Sequence, residues 1–368
     1  MASTFGEKPR HFELIVGNHG LDVLSVSGDI QCVKKWLEQG DPCYTDLSLK
    51  SALIHPIDIK DTQWQFDATE QLRPELVLSP ELLSSLSTPN GAFDFDLGAN
   101  FNPVLRLWPG AYLDVNAVVP IGARTRNFNE KGPYYSDRLT QQISRSMVHQ
   151  VFDLPRLNTQ LMASAGKIYQ SFSGLGLETQ TFSNNGRFRL DLQGGQFKDQ
   201  NLGGLASPNH YGVAGLRYSA GDRLNSTTEI QAGEFWSGDH SIVLTERFWY
   251  GDTALNFYVQ RSKQLDSSFM NFAGIQLWIP LTPSVNTSFE RFNLRGTNHF
   301  TYKAESNLET TPNASFKTLG VIPQTGDTLV QLSNLDRNSD RYFELRRDRL
   351  RQAYLDLRVE DRKSWVFD

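Results

Sequence analysis

Phe93-Asp-Phe-Asp-Leu-Gly-Ala-Asn-Phe-Asn102 alternates strictly, with Phe93, Phe95, Leu97, Ala99 and Phe101 on one parity and Asp94, Asp96, Gly98, Asn100 and Asn102 on the other. Successive side chains of an extended chain point to opposite faces, so this stretch predicts a strand with one apolar and one wet face. The same period recurs in Leu113-Asp-Val-Asn-Ala117, Phe188-Arg-Leu-Asp-Leu-Gln193 and Leu255-Asn-Phe-Tyr-Val-Gln260, and less strictly in Gly174-Leu-Gly-Leu-Glu-Thr-Gln-Thr181. Turn chemistry separates the runs at Pro109-Gly110, Asn184-Asn185-Gly186, residues 219–222, Ser237-Gly238-Asp239 and Gly251-Asp252. From residue 72 to about 306 the pattern predicts roughly a dozen strands of about nine to eleven residues, near the length that crosses a bilayer when tilted.

Strands of a soluble sandwich are shorter and carry few large apolar groups on their outer faces. Here the polar face holds Asp, Asn, Gln, Glu and Arg, which are costly in a packed core and natural in a wet lumen. The expected fold class is therefore mainly β: an antiparallel transmembrane β-barrel of about 12–14 strands, with lipid outside and water inside.

Composition narrows the remaining classes. The chain has 368 residues with a net charge of −5, 39% hydrophobic and 21% charged residues, as expected of folded protein. No basic block points to nucleic acid. No apolar run reaches the ~18 residues of a helical membrane span, and mean hydropathy is −0.42. The N-terminus carries no basic-then-apolar leader, so the chain is expected to be a fragment of a longer protein.

Residues 1–62 predict a small α+β module in the order strand, strand, helix, strand. In the helix, Ile30, Val33, Trp36 and Leu37 share a face, with Asp29 as N-cap and Gly40 as C-cap. Cys32 and Cys43 lack zinc-ligand spacing, and fit either one disulfide or two ordinary thiols. Residues 63–308 make the barrel. Residues 309–368 begin with turn-rich sequence including Pro323-Gln-Thr-Gly-Asp327 and end in an amphipathic helix over residues 339–359, capped by Asp340 and packed on or near the barrel. Its Arg346, Arg347, Arg349 and Arg351 read as a solvated face.

Three phrases in order, Glu234-Phe-Trp-Ser-Gly-Asp239, Leu244-Thr-Glu-Arg-Phe-Trp-Tyr-Gly-Asp-Thr253 and Phe272-Ala-Gly-Ile-Gln-Leu-Trp-Ile-Pro-Leu-Thr-Pro283, resemble the C-terminal region of the YjbH/GfcD family of outer-membrane exopolysaccharide and capsule proteins. Met147-Val-His-Gln-Val-Phe152, Ala163-Ser-Ala-Gly-Lys-Ile168, Leu72-Arg-Pro-Glu-Leu76 and Asp348-Arg-Leu-Arg-Gln-Ala-Tyr354 are similar to the same family. The resemblance implies a barrel in the outer membrane of a Gram-negative bacterium that takes part in exopolysaccharide or capsule biosynthesis and export. Its partners would be the polymer, outer-membrane lipid and other polysaccharide-secretion proteins, with the α+β module on the periplasmic side.

Trp236, Phe248, Trp249, Tyr250 and Trp278 fall near predicted strand ends, where aromatic rings favour the membrane boundary. Trp236 and Trp249 could also stack on a sugar ring while Asp239, Glu246 or Asp252 hydrogen-bonds its hydroxyls. Paired carboxylates can hydrolyse glycosides, and Asp94 with Asp96 or Glu234 with Glu246 are the available pairs, but any alternating strand produces such i,i+2 spacing. The chain has no Gly-x-Ser-x-Gly elbow, phosphate loop or His-Glu-x-x-His, so a non-enzymatic protein without catalytic residues, metal or cofactor is expected, with His149 lining the lumen. The alternative is a β-rich, lectin-like surface or periplasmic protein that binds carbohydrate.

Overall fold

The computed structural model of the chain describes residues 11–18, 21–41, 48–50, 74–88, 91–183, 186–201, 209–220, 225–264, 268–281, 287–288, 292–308, 319–333, 337, 348–349, 351–352 and 354–356. The N-terminal module has the expected order: β1 (His11–Asn18), β2 (Leu21–Asp29), α1 (Ile30–Gln39) and β3 (Ser48–Lys50), the strands forming one small sheet. Asp29 caps α1 by accepting from the backbone N–H groups of Gln31 at 2.8 Å and Cys32 at 3.0 Å. Gly40 ends it in the left-handed region (φ 80°), where glycine avoids the Cβ clash. Cys32 is disulfide-bonded; Cys43, its expected partner, lies outside the described residues.

Twelve strands then follow as a meander: β4 (Glu75–Thr88), β5 (Gly91–Trp108), β6 (Ala111–Arg124), β7 (Gln142–Leu154), β8 (Thr159–Ile168), β9 (Phe172–Phe182), β10 (Phe188–Asp199), β11 (Asn209–Ser219), β12 (Ser226–Glu234), β13 (His240–Tyr250), β14 (Thr253–Lys263) and β15 (Met270–Ile279). Each pairs antiparallel with the next. Three shorter strands complete the sheet: β16 (Thr287–Ser288), β17 (Asn293–Gly296) and β18 (Phe300–Asn307). β18 pairs antiparallel with β15, and β17 pairs parallel with β4. The hydrogen-bonded order is a line with β16 and β18 at its ends, so a closed ring of strands is not what the pairing gives.

Both ends of that line are nevertheless tied at Thr297. Its N–H donates to the Leu78 carbonyl on β4 at 2.9 Å, and its own carbonyl accepts from Leu281, just beyond β15, at 2.8 Å. Glu75 reinforces this seam by accepting from Arg106 on β5 (2.8 Å) and Arg295 on β17 (3.0 Å).

The faces divide as the alternation predicts. In the opening stretch Asp94, Asp96 and Asn100 are buried while Phe93 and Phe101 are exposed. On β10, Arg189 and Asp191 are 1% and 3% exposed, against 45% and 49% for Leu190 and Leu192. On β9, Gln180 is fully buried while Leu175 and Leu177 are 65% and 57% exposed. Ile230, Ile242, Leu244, Val259 and Ile275 continue the exposed apolar face around the sheet.

The interior face is polar through its middle and apolar towards both ends. Val104, Tyr112, Val151 and Met162 cluster near one end, and Met147, Ile168, Phe197 and Tyr211 near the other. Residues 319–333 supply the missing halves of these clusters. Leu329 and Leu332, on the short helix α2 (Leu329–Leu332), enter the first, and Ile322 packs on the second.

The expected C-terminal helix is helical at 348–349, 351–352 and 354–356; residues 339–347, Arg346 and Arg347 among them, lie outside the described residues. Arg351 donates to the Trp36 carbonyl at 3.1 Å and Tyr354 to Glu38 at 3.4 Å, joining this segment to α1. Arg349 donates to Asp252 at 3.1 Å. These two arginines are docked through specific acceptors, which charge density alone did not reveal.

Candidate functional site

The polar interior and the chain segment that crosses it form the most chemically specific region. Because β4 to β15 alternate in direction, odd-numbered strands from β5 end at the same edge of the sheet. That edge carries the hairpins 109–110 and 251–252, and the opposite edge carries the connections 125–141, 169–171 and 235–239. Residues 319–333 run from the second edge towards the first, where Arg337 lies. Gly320 donates to Asp239 at 2.9 Å and Gln324 to the Tyr169 hydroxyl at 3.1 Å. Halfway along, Leu329 donates to Glu178 at 3.1 Å. Ser333 then donates to Gln160 and Gln180 at 3.1 and 3.2 Å, and Arg337 pairs with Asp252 at 2.6 Å.

These contacts require the sheet to wrap around the segment. Leu329 reaches Glu178 on β9, and Gln331, two residues on, reaches His299 in the 297–299 joint at 2.8 Å. In a flat sheet these partners would be six strand spacings apart, about 29 Å at ~4.8 Å each. One turn of helix cannot bridge that distance, so the sheet curls.

Local sequence explains how the segment is seated. Thr328 and Gln331 form a reciprocal capping box, Thr328 Oγ1 accepting from the Gln331 N–H and Gln331 Oε1 from the Thr328 N–H, which holds a helix of only four residues. Gly326 (φ 147°) lies so close to the wall that a Cβ there would stand 2.7 Å from both Asp114 Oδ2 and His149 Nε2. His149 is fully buried, stacked on Tyr112 with centroids 4.6 Å apart and hydrogen-bonded to Ser164 at 2.7 Å. It lines the interior as expected, beneath the segment.

A charged network covers the facing wall. Arg189 pairs with Asp191 (2.8 Å) and Glu229 (3.5 Å), and Glu229 also receives Arg247 (3.4 Å). Arg247 donates to Asn256 at 2.9 Å and lies 4.0 Å over the Trp278 ring. The network thus passes across β10, β12, β13, β14 and β15. Buried charges persist only when paired in this way, and each guanidinium here has a carboxylate or amide partner.

The five residues expected to contact sugar are not gathered into one patch. Trp236 and Asp239 lie before β13, Trp249 and Asp252 at its far end, and Glu246 between them. The eleven-residue strand separates the two groups by roughly 34 Å. Trp236 packs among Tyr169, Phe172, Phe197 and Tyr211, and its N–H donates to the Val321 carbonyl at 3.0 Å. Asp239, fully buried, accepts from Ser241 and Gly320. Trp249 packs on Trp278 and lies under Arg337, and Asp252 receives Arg337 and Arg349. Glu246 accepts from Thr228 at 2.6 Å. Four of the five therefore hold the C-terminal segment in place.

Of the aromatics expected at the boundary, Tyr250 is exposed at its strand end, whereas Trp236 and Trp249 turn inward. Asp94 and Asp96 anchor the connection 125–141, through Asn127 and through the Leu139 N–H and Arg124 respectively. Glu234 lies opposite His240 and Glu246 opposite Thr228, which sets the second carboxylate pair about 20 Å apart along the strands. Among the described residues no cluster of His, Cys, Asp and Glu has metal-site geometry.

The carboxyl of Asp252 is held below its ordinary value by the hydrogen bond from Arg349 and the charge of Arg337, against a partial burial that raises it. Burial raises the Tyr169 phenol, which stays protonated beside Gln324.

No protein-family model matches the chain, and neither a curated protein nor a solved structure matches it.

Proposed function

We propose that this chain forms an outer-membrane β-barrel that takes part in exopolysaccharide or capsule export without covalent chemistry of its own. The observation that carries this reading is the inversion of the sheet, with leucines, isoleucines and phenylalanines exposed and arginines, aspartates and glutamines buried. Exposing one large aliphatic side chain to water forfeits about 2 kcal/mol. Repeated on strand after strand, that loss exceeds the 5–15 kcal/mol on which a soluble fold rests. Against hydrocarbon the same face is at no disadvantage.

Three further features support the reading. Exposed aromatics sit towards both edges, Trp108, Phe188, Tyr218 and Tyr250 at one and Phe93 and Phe269 at the other, with mostly aliphatic residues between and Phe101 and Phe257 as the exceptions, as in the girdles of membrane barrels. Closure would run through residues 293–307 as a single thirteenth strand, tied to β4 and β15 on either side of Thr297. An odd number of alternating strands brings first and last together parallel, which is the sense of the β17–β4 pair, although single-chain bacterial barrels usually have an even count. The shorter hairpins share an edge with Asp252 and the helix that touches α1, which fits a periplasmic side carrying the small module.

The export role follows from the resemblance to the YjbH/GfcD family and from a wall of amides, carboxylates and hydroxyls suited to sugar hydroxyls. Fractionation with heat-modifiable gel mobility tests the barrel: a membrane-associated band that shifts on boiling is expected, and soluble protein without a shift would refute it. Loss of surface polymer on deletion tests export separately.

A further inference from the structure

We infer that residues 319–333 are the gate of this pore, a strap that fills the polymer path and moves aside as a unit; this rests on the barrel reading above. The strap crosses the interior from Asp239 at one edge to Gln160 and Gln180 near the other, so no polymer passes while it is seated. Among the described residues, one backbone hydrogen bond joins it to the wall, Trp236 N–H to the Val321 carbonyl. The side chains of Asp239, Tyr169, Glu178, Gln160 and Gln180 and the imidazole of His299 also hydrogen-bond it.

That mode of attachment distinguishes a strap from one more strand. A ladder partner, once removed, leaves a row of backbone groups unsatisfied, whereas carboxylate, amide and hydroxyl groups exchange one partner for another. Sugar hydroxyls donate and accept as the strap does, so replacing it with hydrated polymer leaves the wall hydrogen-bonded and avoids the penalty of unpaired buried groups. The apolar anchors are few: Ile322 towards one edge, Leu329 and Leu332 towards the other. Gly326 is one of two tight points of the fit: only hydrogen has room between its backbone and Asp114 and His149, and a Cβ at Gly320 would overlap Gln260 Nε2.

The test is conductance of the full chain in planar lipid bilayers, with two substitutions that act on the strap alone and a cross-link that holds it. Wild type is expected to be closed for most of the record. G326V cannot seat against Asp114 and His149 and is expected to raise time-averaged conductance about tenfold or more, as a minor open state becomes the major one. L329A with L332A withdraws two buried anchors without touching the strands and provides a second opening variant. Gly176 on β9 faces Thr325, its ideal Cβ position lying 3.9 Å from Thr325 Cγ2, so a G176C/T325C pair can form a disulfide. Added to either opening variant, that pair should restore closure when oxidised and release it when reduced. Wild type conducting as freely as both opening variants would overturn the gate and leave the barrel standing. Opening variants that stay closed while T325C reacts with an impermeant maleimide would also overturn it. Protein that never enters a bilayer would remove the barrel itself.

Discussion

The Leu329 N–H donates to the Glu178 carboxylate across 151 positions of sequence, at 3.1 Å and in the buried middle of the interior. This bond ties the start of a four-residue helix to the wall, and the same carboxylate accepts from Gln193 at 3.4 Å. Glu178→Ala strands a buried N–H and should cost about 1–3 kcal/mol. Glu178→Gln keeps an acceptor and should cost less. The temperature at which the folded gel band is lost, compared between the two variants, checks this order.

The outward apolar face gives a prediction whose sign depends on the solvent it meets. Leu192 is 49% exposed near the middle of β10, next to the buried Asp191. On a water-facing surface Leu192→Arg would be nearly neutral. Facing hydrocarbon, it should cost about 2–4 kcal/mol near the bilayer midplane. Denaturant titration of folding into lipid vesicles distinguishes the two, and a neutral result would count against the lipid-facing assignment.

Asp252 makes one contact acid-sensitive. Its folded pKa lies below the ordinary 3.8, so its bonds to Arg337 and Arg349 contribute fully above the unfolded value and are lost as pH falls through the lower, folded one. Arg337 also lies 5.1 Å from the centre of the Trp249 ring. Tryptophan fluorescence should therefore change below about pH 4 in wild type, and Asp252→Asn should show the altered signal already at neutral pH. Trp249→Phe should remove most of the acid change.

Much of this architecture was legible because its signals are local. A two-residue period needs only neighbours, and Asp29 and Gly40 marked the ends of α1 within eleven residues of sequence. The strap was not legible, because the groups that bind it lie 32 to 173 positions away, all but His299 at 81 or more. Read alone, Pro323-Gln-Thr-Gly-Asp327 is turn-rich sequence. Its one local sign was the Thr328–Gln331 capping box beside Leu329 and Leu332. For the same reason Trp236, Asp239, Trp249 and Asp252 drew attention as sugar contacts: polar and aromatic residues at strand ends look alike whether they meet a ligand or another part of the chain. The parallel β17–β4 pair left no periodic trace, since β17 is only four residues long.

Glu75 tests how much the seam matters. Its two carboxylate oxygens accept from Arg106 on β5 and Arg295 on β17, so one side chain ties the start of β4 to the neighbours on both sides. Glu75→Ala leaves two partly buried guanidinium groups without this acceptor and should cost about 1–3 kcal/mol. Glu75→Gln retains one acceptor oxygen and should fall between Ala and wild type. The loss should appear at the seam first, because β17 is held by few other bonds: hydrogen exchange of the Thr297 amide, which donates to Leu78, should quicken in Glu75→Ala while amides in the middle of β13 keep their wild-type protection. Equal quickening at both places would mean that the sheet opens as a whole, and that residues 293–307 are no weaker than any other strand.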